Sequence, residues 1–284
     1  MKVLVTGASG LIGSHLSGEL TARGHDVWAV TRTVASGRAQ PGVHRVPLDL
    51  TAQSWVQLPP RADVVVHLAQ SPHYRSFPEG ALDVFDVNVA STARLLDWAR
   101  KAGVRQFILA SSGGVPAAMG QRTSHYVASK RCAELLAESY GALFDVLTLR
   151  FFFVYGRGQK PWMLVPRLLQ TIQSDGEVML AGPHGPRLNP VHVADAVQAI
   201  VRAIDGGESG TIDIAGPEVL TVRAMSDTIA ARLGRTARYA CDLDAEPHDL
   251  LGDISEMSAR LWQPQHKFVE GVAELIPVAE EKTD

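Results

Sequence analysis

Tyr126 and Lys130 are four residues apart, a spacing that places two side chains on one face of a helix. A phenol, with an ordinary pKa of about 10, needs nearby positive charge to exchange a proton at neutral pH. Lys130 can supply that charge. The chain also opens with a strand and the glycine turn Gly7-Ala8-Ser9-Gly10-Leu11-Ile12-Gly13, a candidate phosphate site for a nicotinamide dinucleotide. Together these features predict an enzyme that transfers a hydride.

The glycine turn lies inside a predicted βαβ unit. A strand over 2–6, a helix ending near Arg23-Gly24 and a second strand over 26–31 make a parallel crossover of ~30 residues. Glycines permit the turn, let backbone amides approach a pyrophosphate and allow close helix packing, and the helix dipole faces the anion. The residues assigned to this contact are Gly7, Ser9, Gly10, Leu11, Ile12 and Gly13.

The end of the second strand bears on which cofactor binds. An NAD site usually has a carboxylate there, whereas this chain has Thr31 and Arg32, and an arginine pairs well with a 2′-phosphate. NADP(H) is therefore favoured and NAD(H) remains an alternative. Arg38 is either a second phosphate contact or a solvated loop charge. Asp49 either meets the adenine amino group or is a plain loop carboxylate.

Further strands and a long helix complete the predicted cofactor site. The apolar strand over 64–69 predicts a buried parallel sheet, in which His67 has a structural role and small Ala69 lets the cofactor lie close. Asn88, inside a helix predicted over 80–101, is expected to tie backbone segments together beneath the site. The strand over 105–110 ends in Ser111-Ser112. The other predicted cofactor-binding residues are Leu50, Leu68, Ala69, Asn88, Lys130 and Phe153.

The chain resembles the extended short-chain dehydrogenase/reductase superfamily, in its NAD(P)-dependent epimerase/dehydratase branch for nucleotide sugars. The resemblance extends from residue 1 to about residue 235. The motifs that carry it are Thr6-Gly7-Ala8-Ser9-Gly10-Leu11-Ile12-Gly13, His67-Leu68-Ala69, Asn88-Val89, Ser111-Ser112, Tyr126-Val127-Ala128-Ser129-Lys130, Leu149-Arg150-Phe151, Tyr155-Gly156 and Arg187-Leu188-Asn189-Pro190-Val191-His192-Val193-Ala194-Asp195.

This resemblance implies roles for the central residues. Tyr126 is the acid/base, and Lys130 holds the nicotinamide ribose and lowers the pKa of Tyr126. A serine hydrogen-bonds the substrate oxygen. Ser112 aligns better with that serine, and Ser111 stays open as a substrate contact. Homodimerisation through helices over 80–101 and 124–140 is also implied by the resemblance alone.

Departures from the family narrow the expected reaction. Dehydratases and decarboxylases of the family carry acidic residues directly after the active-site Ser or Thr, where this chain has Gly113 and Gly114. That disfavours both reactions. Arg32 favours an NADPH-dependent reductase of a keto group on a nucleotide-linked sugar or a similar ketone. A nucleotide-sugar 4-epimerase with tightly bound NAD is the alternative, and a non-enzymatic dinucleotide-binding regulator is the third hypothesis.

Two further departures from the family concern the substrate side of the site. The segment between Ser112 and Tyr126 is shorter than usual for the family, and Phe153 stands where an asparagine often contacts the substrate diphosphate. A wider and more apolar pocket is expected. Arg187 is assigned to substrate phosphate, with a structural ion pair as an equal alternative. Trp162 and Met163 are expected either to line the pocket or to pack in the core.

The predicted fold is α/β, a Rossmann doubly wound parallel sheet with a smaller, discontinuous C-terminal substrate lobe. The dinucleotide-binding domain takes 1–155 with returning segments near 187–215, and the lobe takes 156–186 and 216–284. Of the 284 residues, 46% are hydrophobic, and the net charge of −3 with no basic run argues against nucleic acid. Two cysteines without paired spacing predict neither a disulfide framework nor a metal site. The expected location is the cytoplasm, with no membrane contact.

Overall fold

The computed structural model describes residues 1–32, 42–117 and 123–276. Arg38, predicted to be either a second phosphate contact or a solvated loop charge, lies outside these residues. The strands are β1 Lys2–Thr6, β2 Asp26–Thr31, β3 Val43–Pro47, β4 Val64–His67, β5 Gln106–Ser112, β6 Asp145–Phe151, β7 Glu177–Ala181, β8 Arg187–Leu188, β9 Gly210–Ile214, β10 Leu220–Thr221 and β11 Arg238–Asp242. The helices are α1 Leu11–Ala22, α2 Ala81–Phe85, α3 Ser91–Lys101, α4 Gly114–Ala117, α5 His125–Glu138, α6 Leu164–Gln173, α7 Val193–Gly206, α8 Val222–Arg232 and α9 Phe268–Ala273.

The main sheet has seven parallel strands in the order β3-β2-β1-β4-β5-β6-β9. The strand order reverses direction between β1 and β4, which is the switch point where doubly wound folds bind ligands beyond the carboxyl ends of their strands. Both the glycine turn after β1 and the chain after β4 leave the sheet at this crevice. The predicted Rossmann fold class is confirmed.

Apolar residues alternate along the strands, so each sheet face has its own core. Val3 and Val5 of β1 pack with α1 and α7 on one face, whereas Leu4 packs with α3 and α5 on the other. All three β1 side chains are fully buried. This sandwich fixes the strand ends, and with them the residues that follow each strand, in a rigid frame.

The helix predicted over 80–101 is interrupted in its middle. A π-helical turn, Asp86–Ala90, separates α2 from α3 and contains Asn88. Such turns insert one residue into an α-helix and are frequent at functional sites. Here the turn directs the buried Asn88 side chain toward the chain that follows β4.

A smaller set of elements lies beside the sheet. Two pairs of short strands, β8 with β10 and β7 with β11, join α6, α8 and α9 around a separate apolar core. The segment near 187–215 was predicted to return to the dinucleotide-binding domain. Of its two strands, β9 belongs to the main sheet, whereas β8 pairs with β10 in the smaller set of elements. Met257 and Leu261 pack against the main core. The division into a domain and a lobe therefore stays a proposal, with these segments crossing its predicted boundaries.

Neither a membrane-spanning helix nor a metal site is found in the residues that the structure describes. Their helices include none that is both long and apolar enough to cross a lipid bilayer. They also contain no group of three or more His, Cys, Asp or Glu side chains arranged to hold a metal ion.

Candidate active site

The glycine turn after β1 is so tight that it leaves no room for a Cβ atom at Gly7 or Gly13. Gly7 has φ of 67°, and a Cβ there would lie 2.8 Å from the backbone nitrogen of Ala69. A Cβ on Gly13 would lie 2.3 Å from the Gly7 carbonyl oxygen. Gly10 caps α1, whose first N–H groups and positive dipole end face the crevice. The turn thus has the geometry of a pyrophosphate cradle.

A cavity of about 450 Å³ extends from this turn along the ends of β2 and β4. Ten of the predicted cofactor-binding residues line it: Gly7, Ser9, Gly10, Leu11, Thr31, Arg32, Asp49, Leu50, Leu68 and Ala69. Ile12, Gly13, Lys130 and Phe153 line the adjoining cavity. The size and the cradle both fit a dinucleotide, with its adenosine end beside Arg32 and Asp49.

Arg32 and Asp49 stand at the outer end of this cavity. Arg32 is exposed. Asp49 accepts hydrogen bonds from the Thr51 backbone N–H at 2.9 Å and the Thr51 hydroxyl at 2.8 Å. These two bonds hold the pKa of Asp49 below its usual value, and Arg32 contributes attraction. Asp49 is therefore a charged acceptor at this end of the site.

Ser112, Tyr126 and Lys130 converge on a second cavity, of about 410 Å³, that adjoins the first through the glycine turn. Ser112 ends β5, and Tyr126 and Lys130 lie on α5. The Gly114 N–H donates to the Ser112 hydroxyl at 3.2 Å, and Ser112 hydrogen-bonds to Tyr126. Tyr126 Oη donates to Gln70 Oε1 at 3.2 Å. The tertiary fold therefore brings all three predicted catalytic side chains to one site.

Burial sets the protonation state of Tyr126. Burial raises the pKa of Tyr126 to about 12, the hydrogen bond from Ser112 opposes the rise, and Tyr74 adds to it. That Lys130 lowers this pKa remains a prediction, because the direction of the shift is set by the loss of hydration, which outweighs any attraction from the ammonium. Tyr126 is accordingly a protonated phenol at neutral pH.

The Lys130 ammonium binds the backbone of β5 and also lies near the Tyr126 ring. Its Nζ donates to the Ala110 carbonyl oxygen at 2.9 Å and lies 6.0 Å from the centre of the Tyr126 ring. Burial lowers the pKa of Lys130 to about 8, although Glu134 on the next turn opposes that shift. A small environmental change can therefore switch its charge near physiological pH.

Ser111 is occupied elsewhere. Its hydroxyl donates to Glu134 Oε1 at 2.5 Å, and Arg150 binds the same carboxylate in a bidentate pair of 3.0 and 2.8 Å. The hydroxyl is thus committed to a polar network behind the cavity wall. Of the two candidate serines, Ser112 has the hydroxyl that contacts Tyr126.

Asn88 binds protein backbone and side chain. Asn88 Oδ1 accepts from the Ser71 N–H at 2.9 Å, and Nδ2 donates to the Ser129 hydroxyl at 2.9 Å. The amide connects the loop after β4 to α5, as expected from the sequence. The cofactor-binding role that was also assigned to Asn88 has no cavity surface to support it and remains a prediction.

Two histidines have structural positions. The His67 ring lies between the Thr6 hydroxyl at 2.6 Å and the Thr92 hydroxyl at 3.0 Å, and complete burial lowers its pKa to about 3. His192 caps α7, where Nδ1 accepts from the Ala194 N–H at 3.4 Å. Both positions are structural, and the position of His67 agrees with the structural role predicted for it.

Arg187 and Phe153 were singled out from the sequence on the substrate side of the site. Arg187 forms an ion pair with Asp249, Nε to Oδ2 at 2.8 Å, which is the structural alternative. Its phosphate role remains untested. Phe153 has φ of 47°, an unusual left-handed conformation for a bulky residue, and lines both the catalytic cavity and a third cavity of about 550 Å³ in the smaller set of elements.

Sequence reasoning missed three residues of the loop after β4. Gln70 contacts Tyr126, and the Tyr74 ring lies 5.2 Å from the Tyr126 ring, while its hydroxyl donates to Met163 Sδ at 3.5 Å. Arg75 reaches the Trp162 carbonyl oxygen at 3.4 Å. Their position directly after the apolar β4 strand was a usable indication, since that strand ends at the switch point. Met163 lines both cavities, whereas Trp162 lines the dinucleotide cavity and not the catalytic cavity, for which it was one of the predicted lining residues.

Comparison with known proteins places this fold and site in one family. The model of the NAD dependent epimerase/dehydratase family matches residues 3–215. The chain belongs to this family. The predicted family is thereby confirmed, as is the prediction of an NAD(P)-dependent oxidoreductase or epimerase, and the hypothesis of a non-enzymatic regulator is set aside.

Relatives within the epimerase/dehydratase family differ in reaction. A dTDP-4-dehydro-6-deoxy-D-allose reductase from a Streptomyces species is 31% identical over 90% of this chain and 89% of the relative. The UDP-glucose 4-epimerase of Mycolicibacterium smegmatis is 30% identical over 97% of each. The structure of MoeE5 in complex with UDP-glucose and NAD is similar with a TM-score of 0.79 and 28% identity, covering 96% of this chain and 97% of MoeE5.

Proposed function

We propose that this protein is an NADPH-dependent reductase of a keto group on a nucleotide-linked sugar or a similar ketone. The main support is the similarity, over nearly the whole chain, to a dTDP-4-dehydro-6-deoxy-D-allose reductase. Arg32 at the outer end of the dinucleotide cavity supports NADP(H), since a guanidinium suits a 2′-phosphate. The site of reaction is the cavity that Ser112 and Tyr126 line.

The mechanism follows from the positions of three side chains. When bound, the nicotinamide supplies the hydride. Tyr126 donates its phenolic proton to the substrate carbonyl oxygen, and Ser112 hydrogen-bonds the same oxygen as negative charge develops there. The buried ammonium of Lys130 then stabilises the resulting phenolate electrostatically. A phenol with a pKa of about 12 is protonated before the reaction, as an acid for reduction must be.

The glycines after Ser112 support this choice of reaction. A Cβ on Gly113 would lie 2.3 Å from the Phe152 ring, and Phe152 is fully buried. An acidic side chain, which elimination or decarboxylation would need here, therefore has no room. Gly114 is less constrained, since a Cβ there would lie 3.0 Å from Val127 Cγ2 and would need only a small movement of that methyl group.

A second candidate function is a nucleotide-sugar 4-epimerase that retains NAD. The similarity to the Mycolicibacterium smegmatis UDP-glucose 4-epimerase favours it, because that match also covers nearly all of both chains. An epimerase first oxidises its substrate, so its tyrosine must begin by accepting a proton. A reductase instead begins with a protonated Tyr126, so the two functions need opposite starting protonation states of the same phenol.

Nucleotide analysis of the purified protein separates the two functions. The reductase should bind added NADPH and oxidise it with 4-keto nucleotide sugars in a substrate panel. Stoichiometric NAD that copurifies with the protein, together with interconversion of UDP-glucose and UDP-galactose, would instead establish the epimerase.

The proposal includes a homodimer formed through α2 and α5. Leu82 on α2 is 78% exposed and Leu135 on α5 is 58% exposed, an unusual pair for surface helices that flank one site. Light scattering should give twice the chain mass for the native protein. Leu135→Glu should convert the protein to a monomer, and a native monomer would rule the dimer out.

A further inference from the structure

The Tyr126 hydroxyl donates a hydrogen bond to Gln70. Tyr126 Oη lies 3.2 Å from Gln70 Oε1, and Ser112, which accepts from the Gly114 N–H at 3.2 Å, is close enough to Tyr126 to lower its pKa. The Gln70 acceptor is an sp² carbonyl oxygen. A ketone oxygen that takes its proton from Tyr126 has the same hybridisation and the same partner.

Gln70 can leave this position without disturbing the core. It is exposed and follows the buried part of the chain at the end of β4. It lines both the dinucleotide cavity and the catalytic cavity. A side chain on the shared wall of two cavities can rotate into either of them when a ligand arrives.

We propose that Gln70 is a positioning residue for Tyr126: its amide oxygen occupies the place of the substrate carbonyl oxygen and directs the phenolic proton there until substrate displaces it. This inference rests on the proposed ketone reduction for its kinetic consequence only. The hydrogen bond itself also keeps the phenol protonated, because Gln70 accepts from the neutral form. Gln70 would also discriminate among ligands, because only a substrate whose oxygen accepts from Tyr126 better than an amide oxygen would displace it.

Three substitutions of Gln70 test the proposal. Gln70→Leu removes the acceptor, and Gln70→Asn keeps an amide but is one methylene too short to reach Tyr126. Gln70→Glu supplies an acceptor that is negatively charged. Gln159→Leu is the matched control, since Gln159 lines both cavities but donates to the Val154 carbonyl oxygen at 2.9 Å.

The first measurement needs no turnover. The ¹³Cζ signal of Tyr126 in tyrosine-labelled protein, assigned by its loss in Tyr126→Phe, is followed between about pH 9 and about pH 12.5, a range that includes a pKa of about 12. The pKa of Tyr126 should fall by roughly half a unit to one unit in Gln70→Leu and Gln70→Asn. It should rise in Gln70→Glu and stay the same in Gln159→Leu. An unchanged or raised value in Gln70→Leu would overturn the proposal.

The second measurement is kinetic. The KM for the keto substrate should fall roughly threefold to tenfold in Gln70→Leu, because substrate no longer competes with the amide, while the KM for NADPH stays constant. A purely structural role of Gln70 would raise KM or lower kcat instead, and either result would contradict the proposal. If no ketone supports NADPH oxidation, the proposed function fails, and the Tyr126 titration still decides the role of Gln70.

Discussion

Lys130 stands 6.0 Å from the centre of the Tyr126 ring, yet its ammonium hydrogen-bonds to the end of β5 and makes no hydrogen bond to the phenol. Helical spacing brought the two residues to one face of α5, as the sequence predicted. Burial then set their protonation, raising the pKa of the phenol to about 12 and lowering that of the ammonium to about 8. In the proposed mechanism, Lys130 therefore acts on Tyr126 through charge at a distance.

Removing the Tyr126 hydroxyl should stop the reaction and leave the cofactor site intact. Tyr126→Phe deletes the proton donor but no atom that lines the dinucleotide cavity beside Arg32. We expect turnover to fall by roughly 10²–10⁴-fold, the usual contribution of a positioned acid. NADPH affinity, measured by fluorescence titration, should be unchanged. Full activity in this variant would disprove the mechanism.

Arg32 should discriminate between the two dinucleotides. Arg32→Ala is expected to weaken NADP(H) binding by roughly tenfold to a hundredfold, since a charged hydrogen bond to the 2′-phosphate is lost. NAD(H) binding should change far less. Arg61→Ala, an exposed arginine before β4 at the opposite edge of the sheet, is the control. Calorimetric titration with both cofactors measures the ratio, and an equal loss for both would refute the assignment.

Glu134 should control the pH at which Lys130 loses its charge. The Lys130 ammonium is charged below a pKa of about 8 and neutral above it, and Glu134 holds that pKa up. Glu134→Gln should therefore shift the alkaline decline of kcat to lower pH. Glu138→Gln, one turn further along α5 and exposed, should leave the profile in place. A profile that is identical in all three proteins would remove Lys130 from the proposed mechanism.

His67 should make the protein acid-sensitive. Its pKa is about 3 in the folded protein against an ordinary value of 6.5, so the unfolded chain binds the proton more readily. The stability from neutral His67 is complete above pH 6.5 and declines as pH falls toward 3. From this residue we expect a loss of about 2 kcal/mol between about pH 7 and about pH 5.

Urea unfolding at the two pH values tests the role of His67. His67→Gln should lower stability at neutral pH but remove most of the pH dependence. His184→Gln changes an exposed histidine and should retain the dependence of the unaltered protein. The same slope in His67→Gln as in the unaltered protein would show that another group is responsible.

Asn88 should matter for stability and for the position of α5. Asn88→Ala leaves the Ser71 N–H and the Ser129 hydroxyl without their partner, at a cost of roughly 2–4 kcal/mol. Asp86→Ala, exposed on the same π-helical turn, should cost little. Unfolding in denaturant compares the two variants. Equal costs would show that the amide contacts contribute nothing measurable.

Local patterns in the sequence determined most of the elements that carry the site. The strand over 2–6, the turn from Gly7 to Gly13 and the strand over 26–31 were predictable because glycine geometry and strand alternation are properties of neighbouring residues. The placement of Tyr126 and Lys130 on one face of a helix was likewise predictable, since it depends only on helical periodicity. Membership of the family followed from the same short motifs.

Only the tertiary structure decided which side chains meet and in what protonation state. Gln70 and Tyr126 are 56 positions apart, and Arg187 and Asp249 are 62 apart, so no local pattern indicates either contact. The π-helical turn around Asn88 depends on distant partners in the same way. Protonation depends on burial, which packing creates, and burial raises the pKa of Tyr126 to about 12.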